Sequence, residues 1–408
     1  MSQIQKVTLP NGARILVEPH THIKSAAVGL WCQTGSRHEL EHEAGITHFI
    51  EHMLFKGTKT RTAKEIAEAI EGQGGVLNAF TDKEHTCYYC RVLDHQVPHA
   101  VDVLADMMIN PLLEPEEIQR ESKVILEEIK RSNDEPESHV HELHLEARWG
   151  EHELGKPIIG TPESVSSFAQ DQFRAYMSRR YRAENVILSI AGNVDVDHVI
   201  SHASAWLSQL ESGGQQESLT RPQGKPGHHE IRKDVEQVHF CVGGDGWAIF
   251  DEELYAGAVL DAVLGGGMSS RLFQEIRERR GLAYSVGSYS LSYSSGGAFT
   301  IYGGTGPDLW PEVQKLIAIE IDRICNETVP EQELNRAKQL LSGNMVLALE
   351  GMNSRMMRMS RNELNHKRDI PLEETLEKIS AVKAQEVQTL AQRVLDQATL
   401  STTAIVPE

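Results

Sequence analysis

Cysteine is scarce in this 408-residue chain: Cys32, Cys87, Cys90, Cys241 and Cys325 make five, an odd number, scattered along its length. That excludes the paired framework of a small secreted domain and implies free thiols in a reducing compartment, the cytoplasm. Cys87 and Cys90 form a CxxC, but Thr86 to Leu93 is patterned as a strand, where residues three apart point to opposite faces, so neither a redox pair nor a zinc pair is expected. Positive charge is also in deficit, with 40 Lys and Arg against 59 Asp and Glu for a net charge of −19. Nucleic acid and anionic membranes are therefore poor partners, whereas basic or amphipathic peptides suit a cavity lined by acidic residues. A generally solvated acidic surface accounts for the charge equally well. No run of about 18 apolar residues could span a bilayer. The first residues, MSQIQKVTLPNGARILVEP, enter strand-turn-strand patterning at once, with no basic segment followed by an apolar one, so no secretory signal or transit peptide is visible.

What is present begins with size. Hydrophobic residues make up 40% of the chain, enough for a large core, and the length exceeds that of a usual single domain, so two domains are expected. Gly45 to Gly57 reads GITHFIEHMLFKG. On a helix, His48 and His52 sit one turn apart with Glu51 beside them, and all three share one face. Two imidazoles on one face can clamp an ion, and zinc suits them: a catalytic site takes three His or carboxylate ligands and leaves the fourth position to water. Glu51 beside that water is the natural base, and the inverted HxxEH order is a zinc-protease signature. Five positions can match by chance, and a solvated helix face can carry two histidines. Against that, Ile46, Phe49, Ile50, Met53, Leu54 and Phe55 surround the triplet, and ionisable groups in apolar surroundings are costly unless paired or bound to metal.

Along the chain, Ile4 to Leu9 and Arg14 to Glu18 flank a Pro10-Asn11-Gly12 turn as a hairpin, and Ala26 to Cys32 is a third strand. Thr62 to Gln73 and Val97 to Ile109 have helical periodicity, separated by strands at Val76 to Thr81 and His85 to Leu93. A helix starting at Glu114-Pro115 runs past Ile129, with Glu121 and Glu128, seven residues apart, on one face. A carboxylate from a separate helix is what two histidines need, although a Glu on an amphipathic helix is usually solvated, and composition does not choose among Glu121, Glu127 and Glu128. His139, His141, His144 and His152 cluster in the following stretch without a metal-binding spacing. Pro162 to Tyr181 is expected as one helix capped by Thr161. Asn185 to Ala191 is a strand and Asp197 to Leu210 a helix. Glu211 to His229, rich in Gly, Gln, Ser and Pro, reads as a linker between domains 1–210 and 230–408. The second half then repeats the first weakly: Ala258, Asp261 and Ala262 fall opposite His48, Glu51 and His52, and Ala337 and Asn344 opposite Glu121 and Glu128. The repeat keeps the scaffold and lacks the polar groups.

Four stretches, HFIEHMLFKGT from His48, GGVLNAFTDKEHTCYY from Gly74, RESKVILEEI from Arg120 and SSRLFQEIRERRGLAYSV from Ser269, resemble the pitrilysin-like zinc peptidases with an inverted motif. That family includes mitochondrial processing peptidase and bacterial one-chain relatives, and the likeness spans nearly the whole chain. It implies an α+β fold of two homologous domains of the processing-peptidase type, each a mainly antiparallel sheet covered on one side by helices. It makes His48, His52 and Glu128 the ligands of one zinc ion per chain, Glu51 the base that deprotonates the attacking water, and Glu121 an outer carboxylate supporting the site. It makes Arg277 and Tyr284 a pair reaching from the inactive domain toward substrate, and Asn78 and Ala79 part of an edge strand that holds the peptide. The activity implied is that of a zinc metalloendopeptidase hydrolysing unfolded or basic peptides in an enclosed acidic chamber. One domain pair where longer members carry two implies a homodimer. The same family contains non-catalytic core subunits and peptidases active only with a different partner, which are the alternatives.

Overall fold

A computed structural model describes residues 4–214 and 218–408. Six strands form the first sheet: β1 (Gln5–Thr8), β2 (Arg14–Pro19), β3 (Ser25–Cys32), β4 (Val76–Thr81), β5 (Thr86–Leu93) and β6 (Val186–Gly192). Their order is β1-β2-β6-β3-β5-β4, and every neighbouring pair is antiparallel except β2 with β6. Helices α1 (Ile46–Leu54), α2 (Ala63–Ile70), α3 (Val97–Ile109) and α4 (Pro115–Asp134) come from the first part of the chain. They are followed by α5 (Pro136–Trp149), α6 (Pro162–Ser167), α7 (Gln170–Arg180) and α8 (Val196–Leu207). Thr62 caps α2 and Thr161 caps α6, each hydroxyl accepting the amide N–H three residues on. The one helix expected over Pro162–Tyr181 is two. Phe168 and Ala169 adopt extended dihedrals between α6 and α7, and the turn seats the Phe168 ring against Phe49 and Phe173.

The second sheet contains β7 (Gly227–Lys233), β8 (Val238–Asp245), β9 (Ala283–Ser292), β10 (Gly297–Thr305) and β11 (Ser401–Pro407), in the order β7-β11-β8-β10-β9. Only β7 with β11 is parallel. Its helices come from α9 (Leu254–Leu264), α10 (Trp310–Asn326), α11 (Glu331–Ala348), α12 (Met352–His366), α13 (Leu372–Ala381) and α14 (Ala384–Val394), with one exception given below. Read from the parallel pair outward, β2-β6-β3-β5-β4 and β7-β11-β8-β10-β9 have the same order and the same directions. The weak internal repeat of the sequence is thus a duplicated topology, and β4 and β9 are corresponding edge strands.

Neither sheet is covered on one side only. In β3, Ala26, Val28, Leu30 and Cys32 enter one core while Ala27 and Trp31 enter another on the opposite face. Cys87 and Cys90 likewise divide between the two cores, as residues three apart on a strand should. A strand that is apolar on both faces needs cover on both. Met356, Met359 and Leu364 of α12 cover the second face of the first sheet, and Glu363 pairs there with Arg14 at 3.2 Å and Lys6 at 2.7 Å. In the second sheet the equivalent cover is α5, whose Val140 packs with Cys241 and Ile405.

The compact units are therefore discontinuous. The first takes the described residues of Met1–Lys130, Pro157–Glu217 and Ala348–Asp369, and the second those of Arg131–Lys156, Ser218–Leu347 and Ile370–Glu408. Contiguous domains 1–210 and 230–408 do not allow for this, because α5 packs in the second unit and α12 in the first. The stretch read as a linker, 211–229, contains one of the crossings, and β7 begins inside it at Gly227.

Candidate metal centre

Helix α1 is fixed by its buried side. Ile46, Thr47, Phe49, Ile50, Met53 and Leu54 are buried, which leaves His48, Glu51 and His52 half-buried on the remaining face. The helix starts at Gly45, whose φ of 90° and close approach to Ile159 and Gly160 admit no side chain. Glu39 holds this start, accepting the amide N–H of Gly45 at 2.8 Å and of Thr47 at 2.9 Å; a carboxylate is favourable at a helix N-terminus. Burial pushes the Glu39 carboxyl up to about 7.

Helix α4 buries Ile118, Glu121, Ile125 and Ile129. Val124, apolar by sequence, is 51% exposed. The three glutamates of this helix separate. Glu127 turns outward and pairs with Lys130 at 2.6 Å. Glu121 reaches Nδ1 of His52 with Oε1 at 2.8 Å, while its Oε2 takes Lys56 Nζ at 2.6 Å. Glu128 faces both imidazoles: Oε1 lies 3.8 Å from His48 Nε2, and Oε2 lies 3.7 Å from His52 Nε2.

Among the described residues, His48, His52 and Glu128 are the group of potential ligands whose donor atoms converge, all within 4.8 Å of one another. Zinc bonds of roughly 2.0–2.1 Å at tetrahedral angles put ligand atoms about 3.4 Å apart, and the two Glu128–imidazole distances of 3.8 and 3.7 Å come within a few tenths of an ångström of that. The charge also fits. Glu51, Glu121 and Glu128 set three negative charges against the one positive charge of Lys56, leaving two that a divalent cation balances. The ring protons are suitably placed as well. Glu121 accepts the Nδ1 proton of His52, so the Nε2 lone pair is turned toward Glu128. Burial, helped by neighbouring His52, lowers His48 to about 4 and keeps that ring neutral, while its buried Nδ1 has no hydrogen-bond partner among the described residues. Burial opposes charge on His52, but the hydrogen bond and charge of Glu121, with Glu128 and Glu51, outweigh it and raise the ring. Glu121 is buried too, and its bonds to His52 and Lys56 still lower it.

Glu51 is held from the sheet. Thr81, the last residue of β4, donates its hydroxyl to Oε2 at 2.5 Å. Burial raises the Glu51 carboxyl, and the Thr81 bond and His52 partly offset this. Asn78 and Ala79 lie on the same edge strand, where the Asn78 carboxamide accepts the Ala79 amide N–H at 2.8 Å. Arg277 and Tyr284 belong to the second unit. There the Arg277 guanidinium stacks between rings, 4.7 Å from the centre of Phe273 and 4.6 Å from that of Tyr284, and Tyr284 is 81% exposed. Sequence reading missed Glu39, Lys56 and Thr81. Lys56 follows His52 by four residues but lies beyond the end of α1 at Leu54, so helical spacing did not mark it, and Glu39 and Thr81 had no signal either.

Family models match most of the chain. Residues 14–162 match the insulinase family, peptidase family M16, and residues 167–341 match the M16 inactive domain. Similar proteins include YmxG of Bacillus subtilis (strain 168), named an uncharacterised zinc protease, which is 41% identical over 391 residues covering 96% of this chain and 95% of that one. Another so named, from Rickettsia felis, is 39% identical over 399 residues covering 98% and 96%. Among solved structures, a protease from Helicobacter pylori shares the fold with a TM-score of 0.92 at 21% identity, covering 100% of both chains. A Pseudomonas fluorescens structure described as a peptidase M16 inactive domain gives 0.91 at 19% identity, covering 100% of this chain and 98% of that one.

Proposed function

Because the chain belongs to peptidase family M16, whose similar members are named zinc proteases, we propose that it is a zinc-dependent endopeptidase for unfolded peptides, with His48, His52 and Glu128 holding one zinc ion per chain. The observation that carries this reading is the meeting of two imidazoles and the Glu128 carboxylate from separate helices, beside a glutamate tied to the end of an edge strand. When bound, the metal supplies a Lewis acid that acidifies water and polarises a carbonyl.

The chain's own residues do the rest. Glu51 keeps Oε2 on Thr81 and takes the proton with its carboxylate, then returns it to the leaving amine. Glu121, anchored by Lys56, fixes the His52 ring and its tautomer. A peptide adds to β4 through backbone bonds and replaces the Asn78 carboxamide on the Ala79 amide. Because β4 ends at Thr81, a strand on that edge is led to the base. Broad sequence tolerance follows, with basic peptides preferred by a chain of net charge −19. Tyr284 is assigned the hydrogen bond to the developing oxyanion, with Arg277 as the cation that stacks against it. Enclosure in an acidic chamber, homodimer formation and a cytoplasmic setting complete the reading; the last is supported by five free thiols.

The test is to incubate purified protein with a mixture of short basic and neutral peptides, with and without chelator, and to map the cuts by mass. Chelator-sensitive internal cuts, more frequent in the basic peptides, are expected. Peptides left intact in the absence of chelator would reject the assignment.

A further inference from the structure

The two sheets differ at one edge. In the first, β2 is buried from Arg14 to Glu18, and β1 pairs antiparallel along its outer side. Its counterpart in the second sheet, β7, pairs with β11 alone among the described residues, and five of its seven residues are exposed. Beside it a groove of about 540 Å³ runs between Leu143, Glu146 and Ala147 of α5 and His229 and Ile231 of β7. A bare strand edge is a template for another strand, and the place that β1 fills in the first sheet is open in the second.

Main-chain direction and charge select the occupant. The Gly227 N–H donates to the Leu400 carbonyl at 3.3 Å, so by strand alternation the main-chain groups of Gly227, His229, Ile231 and Lys233 face β11, and those of His228, Glu230 and Arg232 face outward. A second copy of β7 laid antiparallel, as β1 lies on β2, must set outward residues against outward residues, so its two-fold axis passes through a residue position. An axis at Glu230 or at Arg232 would oppose like charges. At Ile231 it sets Glu230 of each copy against Arg232 of the other, and opposite charges facing one another across strands stabilise the pair. Both side chains lie on one face of β7, 3.1 Å apart, and are 39% and 67% exposed. On the opposite face each Ile231 meets the other at a non-hydrogen-bonded position, where side chains approach most closely. We propose that β7 is a homodimer interface, two copies pairing antiparallel about Ile231 with a Glu230–Arg232 pair on either side of the axis. This rests on the homodimer assigned above and gives it a surface.

Sedimentation equilibrium of the full chain from about 1 to 100 µM, the range in which a small interface assembles, should show a reversible dimer. Glu230→Arg and Arg232→Glu each set like charges across the axis and should each weaken the dimer at least about tenfold, with melting curves like that of the parent. Mixed in equal amounts, the two variants should dimerise again at about the parent's affinity, because each then meets the opposite charge at both positions. A parent that stays monomeric overturns this surface together with the homodimer. A dimer that persists in both variants, or a mixture that stays as monomeric as its components, overturns the surface alone, and neither result touches the zinc assignment.

Discussion

Helices α1 and α9 hold corresponding places on two copies of one topology, and of the two only α1 carries proposed metal ligands. Where α1 has His48, Glu51 and His52, α9 has Ala258, Asp261 and Ala262; where α4 has Glu121 and Glu128, α11 has Ala337, which is buried, and Asn344. The second unit still forms a five-stranded sheet over a continuous core, so the fold does not require the polar set. One feature survives in both copies. Thr81 donates to Glu51 at 2.5 Å, and Ser288 of β9 donates to Asp261 at 2.5 Å. A hydroxyl clipping a helix carboxylate to the edge strand belongs to the scaffold; histidines and a second helix's carboxylate around it belong to the chemistry.

The comparison can be broken at several points. Glu51→Gln should lower kcat by about 10²–10⁴-fold, the usual contribution of a general base, with zinc content unchanged, whereas Asp261→Asn should leave turnover as it was. Peptide hydrolysis and metal analysis on both variants check this, and retained turnover in Glu51→Gln rejects the proposed base. Glu121→Gln should weaken zinc affinity by about 10–100-fold through loss of support for His52, measured by competition with a chelator. Its counterpart Ala337→Glu should give no second zinc and should destabilise the second unit, because a carboxylate enters an apolar core unpaired; a thermal melt reports it.

A smaller effect concerns pH. Glu51 must be ionised to accept a proton, so kcat/KM falls as pH drops through its pKa, which burial holds above the ordinary 4.5. The Thr81 bond stabilises the charged form, so Thr81→Val should move this acid limb to higher pH, and Thr81→Ser should restore it. Ser288→Ala removes the corresponding clip and should cost about 1 kcal/mol of stability without moving the activity profile. A shift of that profile by Ser288→Ala would break the separation of scaffold from chemistry.

The helical period showed that His48, Glu51 and His52 share a face, because that depends only on neighbours in sequence. Choosing among Glu121, Glu127 and Glu128 was beyond it. Glu127 and Glu128 are adjacent, and what distinguishes them is how α4 is rolled against the core by Ile118, Ile125 and Ile129. Ala26 to Cys32 is apolar on both faces, yet the sheet was expected to be covered on one side, and nothing local says which helix covers the other: α5 and α12 each pack in the unit opposite to their place in the repeat, a long-range choice that no local pattern records. Likewise Phe168 breaks an otherwise helical stretch to reach Phe49, a partner more than a hundred residues away. The expected linker was legible from composition, while the other crossings lie in or beside ordinary helices.

Two helices bringing one carboxylate to two imidazoles is the claim from which the remaining assignments follow, and counting metal tests it most directly. Protein purified without chelator should contain one zinc per chain, and the double variant His48→Ala/His52→Ala should contain almost none while its melting still shows a folded chain. A count near zero in the unaltered protein, or one zinc retained in the double variant, would contradict the account and favour a non-catalytic subunit built on the same duplicated scaffold.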